Sequence, residues 1–454
     1  MSTISTAVGV DRLARVSGYK IKKGFFSNET PNLPHIIAVF GEANTANQAG
    51  LTVTKKEVTS AKEAAELYGY GSPLHRMMSI LRPLSGDGVG GIPTIVFPQI
   101  SDVGASATVR AWTVTGTATA NATHSLVVNG RDNLDFKNYS YSVALGDTPT
   151  LIAQKIADAC NAVLGSPVSA VAALGVVTFT SKWKGSTSAE VSILIDLGSN
   201  DAGVSYSETT STNGAGLVDL SASLSQFGDD WYTTVINPYG EAYLDTLEGF
   251  NGYPDDDAPT GRYSGLIFKP FVAFFGSTLS DKDDLATITD NASRVNQITN
   301  VLAPAPASLG FSFEAAANMA YLFSVIGQNS PHLDVNNKSY PDMPIPLNGL
   351  IGDLSDYNNR DFLVKKGCST VLLENGAYKV QDCVTTYHPD GEIPFQYSYT
   401  RNLNLDWNVS DAYRTLETIR LKDKVLILDN QATDASGAIK PKEWKAVLFD
   451  LFDD

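Results

Sequence analysis

Cys368-Ser369-Thr370-Val371-Leu372-Leu373-Glu374-Asn375-Gly376-Ala377-Tyr378-Lys379-Val380-Gln381-Asp382-Cys383-Val384-Thr385-Thr386-Tyr387 is the stretch on which the reading of this chain turns. Asn375-Gly376 is a strong hairpin signal, because both central residues of a type I′ turn need positive φ and these two tolerate it. Counting outward pairs Glu374 with Ala377, Leu373 with Tyr378, Val371 with Val380, and Cys368 with Cys383. The two cysteines then face each other at a separation a disulfide could bridge. A reducing compartment favours two free, partly buried thiols instead. A helical run, Ala412 to Lys424, follows the hairpin.

Working outward, strands alternate with helices. Ile36-Ile37-Ala38-Val39-Phe40-Gly41 is a short apolar run ended by Gly, as a strand buried on both faces requires. Ser60-Ala61-Lys62-Glu63 predicts a capping box and a short helix. Residues 73–81 predict a second helix with Pro73 in its first turn, and 94–97 a strand. Thr233–Ile236 and 269–275 are strand-like. Ser280 is the expected cap of a helix with Asp283 and Asp284 near its positive end, and 314–326 is a long Ala-rich helix.

Between these parts the texture changes. Residues 106–125 are rich in Thr, Ala and Val, and further strands are expected at 125–128, 139–143, 176–180 and 191–195. One helix, 149–163, presents Ile152, Ile156 and Ala159 on a single face. The Ser/Thr/Gly-rich residues 200–225 read as loop. The expected fold is α/β: a mixed-sheet core with helical cover, discontinuous in sequence. To it are added an inserted β-rich (α+β) outer domain and an extended N-terminal arm. The expected boundaries are 1–33 for the arm, 34–104 and 227–454 for the core, and 105–226 for the insertion.

The 454 residues carry a formal net charge of −16, which argues against sequence-independent binding of nucleic acid. Charged residues make up only 18%, fewer than usual, as in chains whose surface is spent on contacts with neighbours. Three cysteines, Cys160, Cys368 and Cys383, are too few for a disulfide scaffold and lack zinc spacing. No apolar run is long enough to span a bilayer and no secretory leader is visible, so assembly in a cytoplasm is expected. Against the acidic whole, residues 1–33 hold Arg12, Arg15, Lys20, Lys22 and Lys23 but only Asp11 and Glu29, a balance of +3.

Catalytic constellations are weak. Gly86-Asp87-Gly88-Val89-Gly90-Gly91 has the letters of a dinucleotide fingerprint, but it follows a helix and precedes a strand, the reverse of what phosphate binding needs. Gly310-Phe311-Ser312-Phe313-Glu314 begins like a nucleophile elbow and lacks the second Gly. Of the five histidines, His35, His75, His124, His332 and His388, none has a metal partner at helical spacing, and His332-Leu333-Asp334 reads as a solvated loop. Asp255-Asp256-Asp257 and Asp281-Lys282-Asp283-Asp284 do not fit a calcium loop. No cofactor and no metal are expected, and no enzyme.

Four places resemble the contractile tail sheath proteins of bacteriophages. Residues 34–43, Pro-His-Ile-Ile-Ala-Val-Phe-Gly-Glu-Ala, are similar to their first core strand. Residues 60–74 are similar to their segment of short helix, glycine turn and second helix. Thr385-Thr386-Tyr387 and residues 413–424 are similar to their hairpin end and the helix after it. The resemblance implies a subunit that polymerises around a tail tube and contracts to drive the tube through a host envelope. The implied partners are neighbouring sheath subunits, the tail tube protein, the baseplate and the tail terminator, and the implied place is the virion tail. Arg12, Arg15, Tyr19, Lys20, Lys22 and Lys23 would belong to an intersubunit arm, and Lys442, Trp444, Lys445 and Asp450 to a tube-facing helix. Such proteins continue past the helix beginning near Lys442, whereas this chain stops at Asp454. A missing C-terminal arm and a largely monomeric state are therefore expected. Two other classes remain open: a hydrolase-like phage enzyme using Ser312, and an adhesin built on the Thr/Ser-rich block.

Overall fold

The structure is a computed structural model describing residues 32–255, 257–264, 267–389, 395–432 and 437–453. His35–Leu405 form one compact unit, and the described residues of 32–34 and 406–453 belong to a second. The result is a mixed α/β molecule with several sheets and helices.

The main sheet runs Asn300–Pro304, Val272–Ser277, Thr234–Ile236, Ile37–Glu42, Thr94–Gln99, Lys56–Glu57. The first five strands are parallel and the sixth is antiparallel. Each residue of Ile37–Glu42 is buried, which explains the unbroken apolar run. Successive residues of a strand point to opposite faces. Ala38 and Phe40 join Val235 and Ala273 in a cluster with Phe97, Phe227, Tyr232 and Phe271. Gly41 points the other way, where a Cβ would lie 2.9 Å from Met77 Cε and 3.0 Å from Leu74 Cδ2. That face is covered by the helices Pro73–Leu81 and Ser312–Asn329. At Gly276 a Cβ would stand 1.7 Å from the Ser312 carbonyl oxygen, so only Gly lets this helix start so close to the strand.

Residues 109–212 form two antiparallel sheets. One has the order Ser205–Thr212, Val109–Thr115, Val176–Ser181, Val168–Ala173, and the other Ile193–Asp196, Ala122–Val128, Ser140–Val143. The helix Pro149–Ala162 covers the first through Ile152, Ala153, Ile156, Ala157 and Cys160. Cys160, not the expected Ala159, continues the buried stripe.

Several expectations are corrected here. Residues 200–225 are not all loop, because Ser205–Thr212 pairs with Val109–Thr115 along its length. This edge strand is almost wholly exposed, so no apolar alternation marks it, and its threonines act through β-propensity alone. The helix Lys282–Thr289 is capped by Asp281, whose carboxylate accepts from the Asp283 and Asp284 amides, and not by Ser280. Ser60 caps Ala61–Tyr68 as expected, but Glu63 reaches back to the Thr59 amide at 2.9 Å, one residue earlier than a capping box. The hairpin Thr370–Glu374/Ala377–Asp382 has its predicted turn, with Asn375 at φ 54° and Gly376 at φ 76°, and its predicted inner pairs. A bulge then pairs Thr370 with Asp382, which shifts the register by one, so Cys368 and Cys383 are no longer opposite partners. Both are buried free thiols, and burial pushes Cys368 up to about 12.

Candidate assembly surfaces

A buried ionic seam joins the 105–226 block to the helices of the parallel sheet. Glu314, in the first turn of Ser312–Asn329, is fully buried. Its Oε1 accepts from Arg76 Nε at 2.9 Å and Nη2 at 2.7 Å, and its Oε2 from Arg131 Nη1 at 2.9 Å. Arg131 also donates to Asp342 at 3.2 Å. Burial alone would raise the Asp342 carboxyl, but Arg131 and Arg76 outweigh it and hold it below its ordinary value. Glu190 accepts from both the amide and the hydroxyl of Ser312 at 2.6 Å, and burial pushes its carboxyl up. Buried charges are tolerated only when paired in this way. The seam therefore holds residues 129–131 and 190 against 309–314.

A second seam lies at the C-terminal end of the central strand. Glu42 accepts from Thr187 Oγ1 at 3.0 Å, and Thr187 in turn accepts from Trp183 Nε1 at 2.9 Å. Burial pushes the Glu42 carboxyl up to about 7. In open α/β sheets this crevice is where ligands bind. Here Trp183 and Thr187 fill it.

The outer surface of this unit carries an apolar patch. Leu279 is 41% exposed, Leu350 66% and Tyr357 70%. The segments bearing them adjoin: Asp353 N donates to the Ser280 carbonyl at 3.0 Å, and Lys282 N to Asp353 Oδ2 at 3.1 Å.

The second unit contains the parallel pair Val425–Leu426/Ala438–Ile439 and the helix Pro441–Asp453. Val425, Leu426 and Leu428 are each more than 60% exposed. Glu443 accepts from the Lys440 amide at 3.0 Å and Asp429 from the Lys442 amide at 3.1 Å, fixing the start of the helix. Of the expected tube-facing residues, Lys442 and Lys445 are exposed, whereas Trp444 packs edge-on to Tyr413 at 6.1 Å. The Asp450 side chain and the arm residues Arg12, Arg15, Tyr19, Lys20, Lys22 and Lys23 lie outside the described residues.

The candidates for chemistry have other partners. Ser312 is bound to Glu190, His388 lies on Asp290 at 3.1 Å, and His124 on Tyr206 at 2.7 Å. Asp255 accepts from the Asp257 and Ala258 amides, closing a turn. Asp334 is not solvated as expected: its side chain is only 10% exposed and faces Arg401, and burial raises its carboxyl. Among the described residues no group of three or more His, Cys, Asp or Glu is placed to hold a metal ion, and no helix is long and apolar enough to cross a membrane. Sequence reasoning missed the ionic seam, although one signal was present: Arg76 interrupts the otherwise apolar run Pro73–Leu81.

No protein-family model matches the chain. The Mu-like prophage FluMu tail sheath protein of Haemophilus influenzae is 29% identical over 215 residues, 46% of this chain. That match spans 41% of the relative's own length. Two solved structures are loosely similar. A sheath tail protein of Desulfitobacterium hafniense matches at TM-score 0.42 and 12% identity, over 89% of this chain and 83% of its own. One from Listeria innocua matches at 0.41 and 10%, over 86% and 79%. At those scores the structural likeness carries no argument. The resemblance to the phage tail sheath proteins is shown by sequence, over nearly half of the chain.

Proposed function

We propose that this chain is a structural tail sheath subunit, which polymerises around a tail tube and contracts to drive the tube through a host cell envelope. The observation that carries this is the 215-residue similarity to a protein named as a tail sheath protein. The physical requirements are a stiff subunit, contacts that repeat head to tail into an open helix, and links that survive a large rotation. The buried seams at Glu314 and Glu42 suit the first requirement. The exposed pair Val425–Leu426/Ala438–Ile439 suits the third, because an open ribbon can take a strand from a neighbour.

In this reading residues 1–33 are an arm, 34–104 and 227–454 a discontinuous core, and 105–226 an outward insertion. The partners are other copies of the chain, a tail tube protein, the baseplate and the tail terminator. The chain acts in the virion tail, after assembly in a bacterial cytoplasm, and catalyses nothing. Lys442, Trp444, Lys445 and Asp450 are assigned to the face toward the tube. Negative-stain microscopy of the chain mixed with its tube protein is expected to show sleeves or stacked rings around a thinner tube. Bare tubes beside a soluble chain, with a hydrolytic turnover lost in Ser312→Ala, would overturn it in favour of an enzyme.

A further inference from the structure

The patch at Leu279, Leu350 and Tyr357 is set in negative charge. Residues 279–284 and 350–360 hold Asp281, Asp283, Asp284, Asp353 and Asp356 against Lys282 and Arg360, a balance of −3. Backbone amides pin three of these carboxylates: Asp281 caps one helix, Asp356 caps another, and Asp353 accepts from Lys282 N. Such bonds fix the carboxylates without cancelling their charge, although two helix starts offset part of it. Lys282 is engaged by Asp283 at 2.7 Å and lies over the Phe362 ring, and Arg360 donates to the Leu354 and Ser355 carbonyls. The exposed result is apolar side chains within a fixed acidic rim. Apolar surface of this kind marks an interaction site, and a charged rim selects an oppositely charged partner.

The chain contains a segment with the complementary character. Residues 12–26 carry Arg12, Arg15, Lys20, Lys22 and Lys23 with no acid, interleaved with Leu13, Val16, Tyr19, Ile21, Phe25 and Phe26. We propose that the surface formed by residues 279–284 and 350–360 docks residues 12–26 of a second copy of this chain. The apolar side chains of the segment cover Leu279, Leu350 and Tyr357, and its cations face the aspartates. The inference rests on the polymer reading above and adds to it a second attachment, distinct from strand addition at Val425–Leu426.

The test places photoreactive benzoylphenylalanine at Phe25 of the full chain and mixes light and heavy isotope-labelled protein before irradiation. The expected result is mixed-isotope cross-links from position 25 to residues 279–284 or 350–360. They should fall at least fivefold in Leu350→Ser/Tyr357→Ser/Asp284→Lys, with the melting temperature unchanged, and they should weaken as salt rises. A double variant, Leu350→Ser/Tyr357→Ser, serves if the triple variant folds poorly. Cross-links that map elsewhere, or remain within one chain, would overturn the docking site. Microscopy of the same samples separates the two readings. Tubes with cross-links elsewhere refute this site and leave the sheath reading intact, while mapped cross-links without tubes do the reverse.

Discussion

The central strand Ile37–Glu42 and the edge strand Ser205–Thr212 are held by different means. The first is buried at each position, between an aromatic cluster and two helices. The second is nearly all exposed and is held by its ladder to Val109–Thr115. In the first, apolar burial sets both position and stability. In the second, the backbone is fixed by its partner, and the side chains are free to be polar. The block that contains the edge strand is anchored by buried charge at Glu314 and Glu190, not by its outer sheet. The comparison predicts steep effects at the seam, moderate ones in the parallel sheet and almost none at the edge.

The largest effect is expected at the seam. Glu314→Ala leaves Arg76 and Arg131 without their shared carboxylate and should cost about 4 kcal/mol in chemical denaturation. A loss below about 1 kcal/mol would place the anchorage elsewhere.

Next comes the pH dependence. Burial pushes both Glu42 and Glu248 up to about 7 from 4.5. The folded chain then keeps protons that the unfolded chain has lost, so these groups favour folding most below about 4.5, and that contribution is lost as pH rises toward 7. Glu42→Gln should flatten the fall in stability between pH 5 and 8 by up to about 3 kcal/mol, read from denaturation at a series of pH values. An unchanged slope would mean that Glu42 stays charged in the folded state.

Within the parallel sheet, Gly276→Ala should cost about 2 kcal/mol, because its Cβ meets a helix carbonyl. Gly41→Ala should cost about 1 kcal/mol or less, because the atoms it meets are the flexible ends of Met77 and Leu74. Thermal unfolding of the pair orders them, and equal losses would contradict the distinction between rigid and yielding neighbours. The smallest effect is at the edge, where Thr210→Ala should stay within about 0.5 kcal/mol. A larger loss would show that this strand is less free than its exposure indicates.

The same contrast explains what was legible in the sequence. Apolar runs ended by Gly located Ile37–Glu42, and Pro73 with its cap located Pro73–Leu81 to the residue. Asn375-Gly376 located the hairpin turn because both residues needed positive φ. The exposed strand Ser205–Thr212 left no period to read. The bulge beyond Val371 shifted the cysteines, since inserting one residue leaves no compositional trace. The ionic seam joins residues more than 180 positions apart, and no local pattern announces a pairing of that range. The assembly surfaces were only partly visible. Lys442, Trp444 and Lys445 were found on their helix, but Tyr413 as the partner of Trp444 was not.

Immunogold electron microscopy with an antibody raised against this chain tests the central claim most directly, on tailed particles from cells that produce it. A sheath subunit predicts gold in rows along the whole outer length of the tail, closing to a shorter, denser sleeve in contracted particles. Gold confined to the tail tip or fibres, or absent from the particles, would contradict it.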